Sequence, residues 1–375
     1  MRTLRAAVTA VLCGCVLLGA GTAPADAAPP PPALSDSAEL TSLLDQLTAN
    51  GAVGAVAEVR RGDAVWRAGS GRTTLTGRQQ VSADARFRAG SVTKSFTATV
   101  VLQLVGEGRL HLDDTVQSLD HGLLTAPGSD RITVRDLLQH SSGLPDYTEG
   151  VVDGDAPVER FRTWTAAELV QRVAARPLLF PAGTDHNYSN TDYVLLGMLI
   201  ENATGRSYAA EVERRILRPL GLNSTELPGS SPRLSGPHAH SYESRTLPDG
   251  TVRPVDFTTV NLSIAGAAGE IISSTADLDR FFDALLTGRL LAPAQLQVMT
   301  DGSTGGWGLG LELVDLPCGT IAGHGGGAAG FHTLSFHSVD GTRHITVNWT
   351  AWGPGDPQPA ARMLLVRALC PTAGQ

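Results

Sequence analysis

The chain has 375 residues, a formal net charge of −8 at neutral pH and 42% hydrophobic residues. A net negative charge argues against nucleic acid and against anionic membrane surfaces as partners. The length allows one large domain or two domains that share a cleft, and the hydrophobic content can fill a substantial core.

The first 27 residues predict a secretory signal peptide that is removed from the mature protein. Arg2 and Arg5 form a basic start, residues 6–20 are apolar, and Ala25-Asp26-Ala27 supplies small residues for cleavage. The apolar stretch is too short for a transmembrane helix. We therefore expect a secreted protein without a stable membrane anchor, whose mature chain begins with a proline-rich linker over residues 28–37.

The next elements are a hairpin and a helix. Residues 54–60 and 64–68 are predicted strands joined by the turn Arg61-Gly62-Asp63. A predicted helix then begins near Ser91 and ends around Gly106, with apolar residues along one side.

Ser91 and Lys94 lie at the start of this helix, and Lys94 is the only lysine among the 29 basic residues. Residues three apart on a helix share a face, so the hydroxyl and the amine would meet there. A buried ammonium can lose its proton and act as a base, whereas a guanidinium cannot. The helix N-terminus would also stabilise negative charge developing beside Ser91. A helix cap followed by a solvated lysine is the alternative that this spacing alone leaves open.

Residues 113–226 follow a helical pattern, with helices predicted at 165–175 and 191–203. Tyr188-Ser189-Asn190 stands just ahead of the second helix. A tyrosine hydroxyl can relay a proton to a leaving group, and an asparagine amide can hold a substrate carbonyl or orient Lys94. A loop tyrosine followed by an ordinary helix cap is the alternative reading of this motif.

The last third of the chain turns to strands. A helix from Ser274 to about Leu286 precedes it, and the predicted strands and closing helix are 307–314, 320–322, 331–337, 343–350 and 358–369. Strands at both ends around a helical middle predict a discontinuous α/β domain over 38–112 and 227–375. Residues 113–226 would then form an inserted all-helical domain, and the cleft between the two would hold a small molecule.

Gly323-His324-Gly325-Gly326-Gly327 lies where the second of these strands is predicted to end. Glycines let a backbone approach a ligand closely. His324 could then act as a cation or hydrogen-bond donor, and the N–H of Gly327 could bind an oxyanion. A plain glycine-rich turn is the alternative.

Cys318 and Cys370 are the two cysteines that remain after removal of the signal peptide. In an oxidising compartment we expect them to pair, which would tie the C-terminal helix to a strand. A metal site would need more ligands than these, and His238-Ala239-His240 has no strong third ligand nearby. We therefore expect no metal and no cofactor.

Ser91-Val92-Thr93-Lys94, Tyr188-Ser189-Asn190 and His324-Gly325-Gly326 occur in the order and spacing of the penicillin-recognising serine hydrolases. From about residue 38 to 372 the chain resembles, in particular, the secreted D-alanyl-D-alanine carboxypeptidases and the class C β-lactamases. This resemblance implies a β-lactamase/transpeptidase-like α/β (α+β) fold, in which helices flank an antiparallel sheet and an all-helical domain is inserted.

The resemblance also implies an acyl-enzyme route. Ser91 would attack an amide, ester or β-lactam carbonyl, and Lys94 and Tyr188 would share the acid and base work, with the identity of the base disputed among related enzymes. The N–H groups of Ser91 and Gly327 would form the oxyanion hole. The remaining substrate contacts would come from Asn190, His324, Gly325 and Gly326.

These features favour a D-alanyl-D-alanine carboxypeptidase that acts as a monomer on peptidoglycan-type peptides, since β-lactamases usually have lysine in place of His324. Gly325 lacks the hydroxyl that usually binds the substrate carboxylate, and Glu312 replaces a basic residue that would bind it. A class C-like β-lactamase, or an esterase or D-amino-acid peptidase with a neutral leaving group, is the alternative. A non-catalytic ligand-binding relative is a further one.

Overall fold

The computed structural model describes residues 32–118, 122–149, 159–246, 249–302, 305–352 and 355–371. The predicted signal peptide and the first part of the linker lie outside these residues. The strands are β1 (Ala52–Arg61), β2 (Ala64–Gly71), β3 (Phe87–Arg88), β4 (Tyr242–Thr246), β5 (Val252–Asp256), β6 (Ile272–Ser273), β7 (Glu312–Leu316), β8 (Gly319–Ala328), β9 (Phe331–Ser338) and β10 (Arg343–Ala351).

Strands from both ends of the chain form one six-stranded antiparallel sheet, in the order β2-β1-β10-β9-β8-β7. The pairing β1–β10 joins the N-terminal hairpin to the C-terminal strands, with Val56 opposite Asn348. Two smaller sheets pair β3 with β6 and β4 with β5. The predicted antiparallel sheet flanked by helices is confirmed.

The helices pack on both faces of this sheet. They are α1 (Ser37–Ala49), α2 (Thr93–Gly106), α3 (Val134–Leu138), α4 (Ala166–Gln171), α5 (Asn190–Thr204), α6 (Tyr208–Val212), α7 (Thr275–Leu286), α8 (Pro293–Met299) and α9 (Gln358–Leu369), and α6 continues through a π-helical turn into Arg218–Leu220. Residues from Pro32 onward form one compact unit. The boundaries predicted for the α/β and helical domains stay a prediction.

Alternation along β1 explains how the sheet is covered on both faces. Ala55, Ala57 and Val59 point to the face covered by α1 and α9, whereas Val56 points to the opposite face, where α2 and α7 lie. Successive side chains of a strand point to opposite faces, so one strand can contribute to two apolar clusters. The sheet is therefore a central layer that supports the helical part of the chain.

Helix α2 runs through the interior. Eleven of its 14 residues are buried, including Lys94, and a helix that is apolar on all sides belongs in a core. The 3₁₀ turn Gly90–Val92 precedes it, so Ser91 lies just outside the α-helix that carries Lys94. This arrangement holds the lysine in the core and leaves the serine partly exposed.

Three predicted elements differ from the structure. The strand predicted at 307–314 begins only at Glu312, because Gly306 and Gly310 have positive φ angles that interrupt an extended backbone. The strand predicted to end at residue 322 continues through the glycine-rich motif to Ala328. The helix predicted at 165–175 ends at Gln171.

The hairpin β1–β2 and helices α7 and α9 are confirmed. Cys318 and Cys370 lie within disulfide distance, with Cα atoms 5.5 Å apart. Within the described ranges, no helix is both long and apolar enough to cross a lipid bilayer.

Candidate active site

The turn that carries Ser91 packs directly against strand β8. A Cβ atom at Gly326 would lie 2.0 Å from the carbonyl oxygen of Ala89, and a Cβ at Gly90 would lie 2.6 Å from the nitrogen of Gly327. Gly90 also has a φ of +57°, which favours glycine. The glycines therefore let the two backbones touch, which brings the Ser91 segment to the edge of the sheet.

Lys94 is fully buried and its Nζ has three oxygen partners. These are Ser91 Oγ at 3.1 Å, Asn190 Oδ1 at 2.8 Å and the carbonyl oxygen of Ala268 at 2.7 Å. Burial lowers the pKa of Lys94 to about 7, against the opposing effect of Asp146 and Asp192. Near neutral pH a substantial fraction of this lysine is an uncharged amine that can accept the Ser91 proton.

Tyr188 approaches Ser91 from the other side. Its hydroxyl donates to Ser91 Oγ at 2.7 Å, and Lys94 Nζ lies 4.8 Å from the centre of its ring. Burial raises the pKa of Tyr188, its hydrogen bond with Ser91 opposes the rise, and the charge of Glu312 adds to it. The phenol therefore keeps its proton at neutral pH and can act as a donor.

Asn190 is the first residue of α5, and its side chain joins Lys94 to Asp146. Its Nδ2 donates to Asp146 Oδ2 at 2.8 Å, while its Oδ1 accepts from Lys94. Asp146 thus fixes which end of the amide faces the lysine. The three predicted residues Ser91, Lys94 and Tyr188 are brought together, and Asn190 joins them.

His324 is buried, with 2% of its area exposed. Its Nδ1 contacts the carbonyl oxygen of Gly325 and lies 3.4 Å from Glu312 Oε1. Burial lowers the pKa of His324; Lys94 also lowers it, whereas Glu312 raises it. The predicted cationic role of His324 is therefore disfavoured at neutral pH, and a neutral hydrogen-bonding imidazole fits the site.

Gly327 and Ser91 both line a cavity of about 1010 Å³. Because Gly325 N–H points away from β9, toward Glu312, the N–H two residues further on points to the same side. The Gly327 N–H therefore points to the side of β8 on which the Ser91 turn packs, and the oxyanion hole of Ser91 and Gly327 stays a prediction. The cavity lining includes six aromatic residues, namely Tyr147, Trp164, Tyr242, Phe257, Phe331 and Trp352.

Residues 40–368 match the family model described as Beta-lactamase. The chain belongs to the Beta-lactamase family. It has the fold of that family, as the predicted resemblance to β-lactamases and carboxypeptidases implied.

Several relatives of this Beta-lactamase family protein are named for D-amino acid chemistry. The structure of a D-stereospecific amidohydrolase from Streptomyces sp. has a TM-score of 0.81 and 39% identity, covering 90% of this chain and 100% of that one. A D-aminopeptidase from Brucella anthropi is 30% identical over 330 residues, covering 86% of this chain and 60% of the relative.

Penicillin-binding protein 4* from Bacillus subtilis is 28% identical over 312 residues, covering 76% of this chain and 65% of the relative. The chain therefore spans less than two thirds of the length of these two curated relatives.

Some groups of the site could not be named from the sequence as site residues. The carbonyl of Ala268 has no sequence signature, because every residue has one. Asp146 belongs to the stretch 140–147. Asp192 contacts this stretch, because its Oδ2 lies 2.8 Å from His140 Nδ1. The positive φ of His140, +60°, marks this stretch as constrained, but a φ angle is not readable from sequence.

A different cluster has the composition of a metal site. Asp279, His337 and His344 are buried, and their candidate ligand atoms lie within 4.8 Å of one another. However, Arg60 Nε donates to Asp279 at 2.7 Å, and His344 Nδ1 lies 2.9 Å from the same carboxylate. These contacts already compensate the charge of Asp279, so we assign the cluster to the packing of α7 on the sheet. His240 instead contacts Asp256, 2.7 Å away.

Proposed function

We propose that this protein is a D-stereospecific amidohydrolase that cleaves D-amino acid amides or short peptides through an acyl-enzyme on Ser91. The observation that carries the proposal is the contact of Ser91 Oγ with both Lys94 Nζ and Tyr188 OH beside a cavity large enough for an acyl group. The D-amino acid specificity is supported by the names of the amidohydrolase and aminopeptidase relatives.

In the acylation step, Ser91 Oγ bonds to the substrate carbonyl carbon and its proton passes to neutral Lys94. The carbonyl oxygen becomes an oxyanion that accepts from the N–H groups of Ser91 and Gly327. The C–N bond then breaks as Tyr188 gives its proton to the leaving nitrogen, and the Lys94 proton restores the phenol. One proton has moved from Ser91 to the amine, and water releases the acid by the reverse sequence.

The aromatic lining of the cavity favours a bulky apolar side chain on the acyl part of the substrate. Burying an aromatic ring against Trp164, Phe257 or Phe331 removes apolar surface from water. D-Phenylalanine amide is therefore a suitable first substrate, with D-alanine amide as a smaller comparison.

The D-alanyl-D-alanine carboxypeptidase of the sequence prediction is the second candidate. Its support is the similarity to penicillin-binding protein 4* and the shared motifs. The amidohydrolase would cleave the bond after a D-amino acid and release ammonia or an amine. The carboxypeptidase would cleave the last peptide bond and release free D-alanine.

The test is release of ammonia from D- and L-phenylalanine amide, with release of D-alanine from N-acetylated D-alanyl-D-alanine peptides in parallel. We expect kcat/KM for the D-amide to exceed that for the L-amide by at least ~100-fold. The reason is that the bound L-amide would hold its carbonyl carbon out of position for attack by Ser91. Ser91→Ala is the blank for contaminating amidases. Release of D-alanine without amide hydrolysis would establish the carboxypeptidase instead.

A binding protein is separated from an enzyme by mass spectrometry after incubation with benzylpenicillin methyl ester. We expect a covalent adduct on the peptide that contains Ser91. Absence of the adduct together with absence of hydrolysis would support the non-catalytic alternative.

A further inference from the structure

The edge of β8 beside Ser91 divides into two parts with different neighbours. Strand β7 pairs with β8 only up to Glu312 opposite Gly323. Beyond this point the N–H of Gly325 donates to the Glu312 carboxylate at 2.8 Å. Gly327 follows two residues later, or roughly 7 Å along the strand, and lines the large cavity.

The large cavity extends away from Glu312. Its lining continues from Gly327 through Ala328 to Phe331, and Glu312 and Gly325 are not among its lining residues. A bulky acyl group therefore has room on the Gly327 side. The leaving group then lies on the other side of the scissile bond, toward Gly325.

Tyr188 also places the leaving group on the Glu312 side. Its ring lies 5.7 Å from Trp307 and 6.5 Å from His324, and Trp307 forms a backbone bridge with Glu312. Because Tyr188 donates the proton to the departing nitrogen, that nitrogen leaves beside these residues. Trp307, Glu312 and His324 are therefore neighbours of the departing nitrogen.

The negative charge at Glu312 has little local compensation. Within the described ranges, the basic group that lies within 4.0 Å of the Glu312 carboxylate is the His324 imidazole, with Nδ1 3.4 Å from Oε1. Burial lowers the pKa of this imidazole and so favours its neutral form. No arginine or lysine of those ranges forms an ion pair with Glu312. A second carboxylate brought to this end of the cleft would face an unneutralised one.

We propose that Glu312 is a specificity-determining residue that excludes leaving groups bearing a carboxylate next to the scissile bond. The accepted leaving groups are ammonia from primary amides, and amines or amidated peptides that are neutral or cationic. This inference rests on the proposed amidohydrolase activity and names its substrate class. It removes C-terminal D-alanine as a favourable leaving group.

The test uses two substrates that differ only in this charge, D-Phe-Gly-NH₂ and D-Phe-Gly with a free carboxylate. We expect kcat/KM to favour the amidated peptide by at least ~100-fold, since like charges in one site are strongly repulsive. Glu312→Gln removes the charge and keeps an oxygen for the Gly325 N–H, so the ratio should fall below ~10-fold. High salt should reduce the parental ratio, because the Glu312 carboxylate is partly exposed to solvent.

Asp315→Asn is the matched control. Asp315 lies on the same strand, is exposed and accepts a hydrogen bond from the Thr320 hydroxyl. The Asp315→Asn variant therefore removes the same charge outside the cleft. It should keep the parental ratio. A second pair, benzylpenicillin and its methyl ester, tests the subsite through the rate of Ser91 adduct formation, independently of D-amino acid hydrolysis.

The outcomes separate the two proposals. The role of Glu312 is refuted if D-phenylalanine amide is hydrolysed but the parental kcat/KM ratio of D-Phe-Gly-NH₂ to D-Phe-Gly is below ~3. It is also refuted if this ratio is unchanged in E312Q. Both outcomes leave the proposed amidohydrolase activity intact. Loss of activity of E312Q on D-phenylalanine amide but not on its N-acetyl derivative also refutes it, because Glu312 would then bind the substrate ammonium. No reaction with any of these compounds refutes both.

Discussion

At the scale of single residues, the chemistry depends on one amine in an apolar interior. Lys94 Nζ has three oxygen acceptors, enough for the three N–H donors of an ammonium. Burial nevertheless brings its pKa to about 7. Tyr188, by contrast, is held in its neutral form. The structure therefore favours Lys94 as the base and Tyr188 as the proton donor.

Lys94→Arg should nearly abolish acylation. Arginine keeps the positive charge but cannot release a proton, so the loss should be on the order of 10³-fold or more. Stopped-flow acylation by a chromogenic ester measures it, with circular dichroism to check the fold. A variant that acylates at close to the parental rate would leave Tyr188 as the base.

The acylation rate should rise with pH through about 7 and then level off. Below its pKa, Lys94 is protonated and cannot accept the Ser91 proton; above it, the amine is neutral. The measurement needs an N-blocked ester, so that no group of the substrate titrates in the same range. A rate that rises only near the ordinary pKa of tyrosine would point to a phenolate base instead.

At the scale of elements, activity depends on the contact between the Ser91 turn and strand β8. Glycine is a poor strand former, yet β8 passes through Gly323 to Gly327 without a break. The pairing with β9 on one side and the close approach of Ala89 on the other explain why. A larger side chain at Gly326 would push the oxyanion strand away from the nucleophile.

Gly326→Ala should therefore reduce acylation by roughly 100-fold, because small displacements of catalytic groups are costly. It should also destabilise the fold by about 1–3 kcal/mol through overpacking, since its Cβ would meet the Ala89 oxygen. Gly327→Ala is the control for stability, because its Cβ would have its nearest neighbour 4.0 Å away. Equal unfolding free energies for the two variants would contradict this account.

At the scale of the whole molecule, a disulfide between Cys318 and Cys370 would connect the end of α9 to the sheet across a sequence separation of 52 residues. If the protein is exported, as its first 27 residues predict, the pair should be oxidised. Replacing both cysteines by serine should lower the free energy of unfolding by about 2–4 kcal/mol. Denaturant titration measures the loss, and reductant should reproduce it.

Intact-mass spectrometry of protein recovered from the culture medium tests export and pairing together. The expected species begins at Ala28 and lacks two hydrogens relative to the dithiol. A full-length intracellular species with free thiols would contradict both predictions. Stability that is indifferent to reductant would contradict the pairing alone.

Patterns with a regular period were readable from the sequence. The hairpin β1–β2, helix α7 with its Ser274 cap and helix α9 follow from alternation, capping residues and apolar spacing. The prediction of a strand over 307–314 was wrong because glycines with positive φ angles, rather than the apolar residues, decide the backbone conformation there. The extent of β8 was missed because neighbouring segments impose a conformation that glycine does not prefer.

The sequence by itself determined which groups could react: a single lysine three residues after a serine, a tyrosine ahead of a helix, and a histidine among glycines. It also placed a carboxylate at position 312. Only the tertiary structure decided their protonation and position, because burial depends on residues distant in the chain. Burial in the packing around α2 lowers the pKa of Lys94, burial lowers the pKa of His324, and Glu312 on β7 accepts from Gly325 on the neighbouring β8.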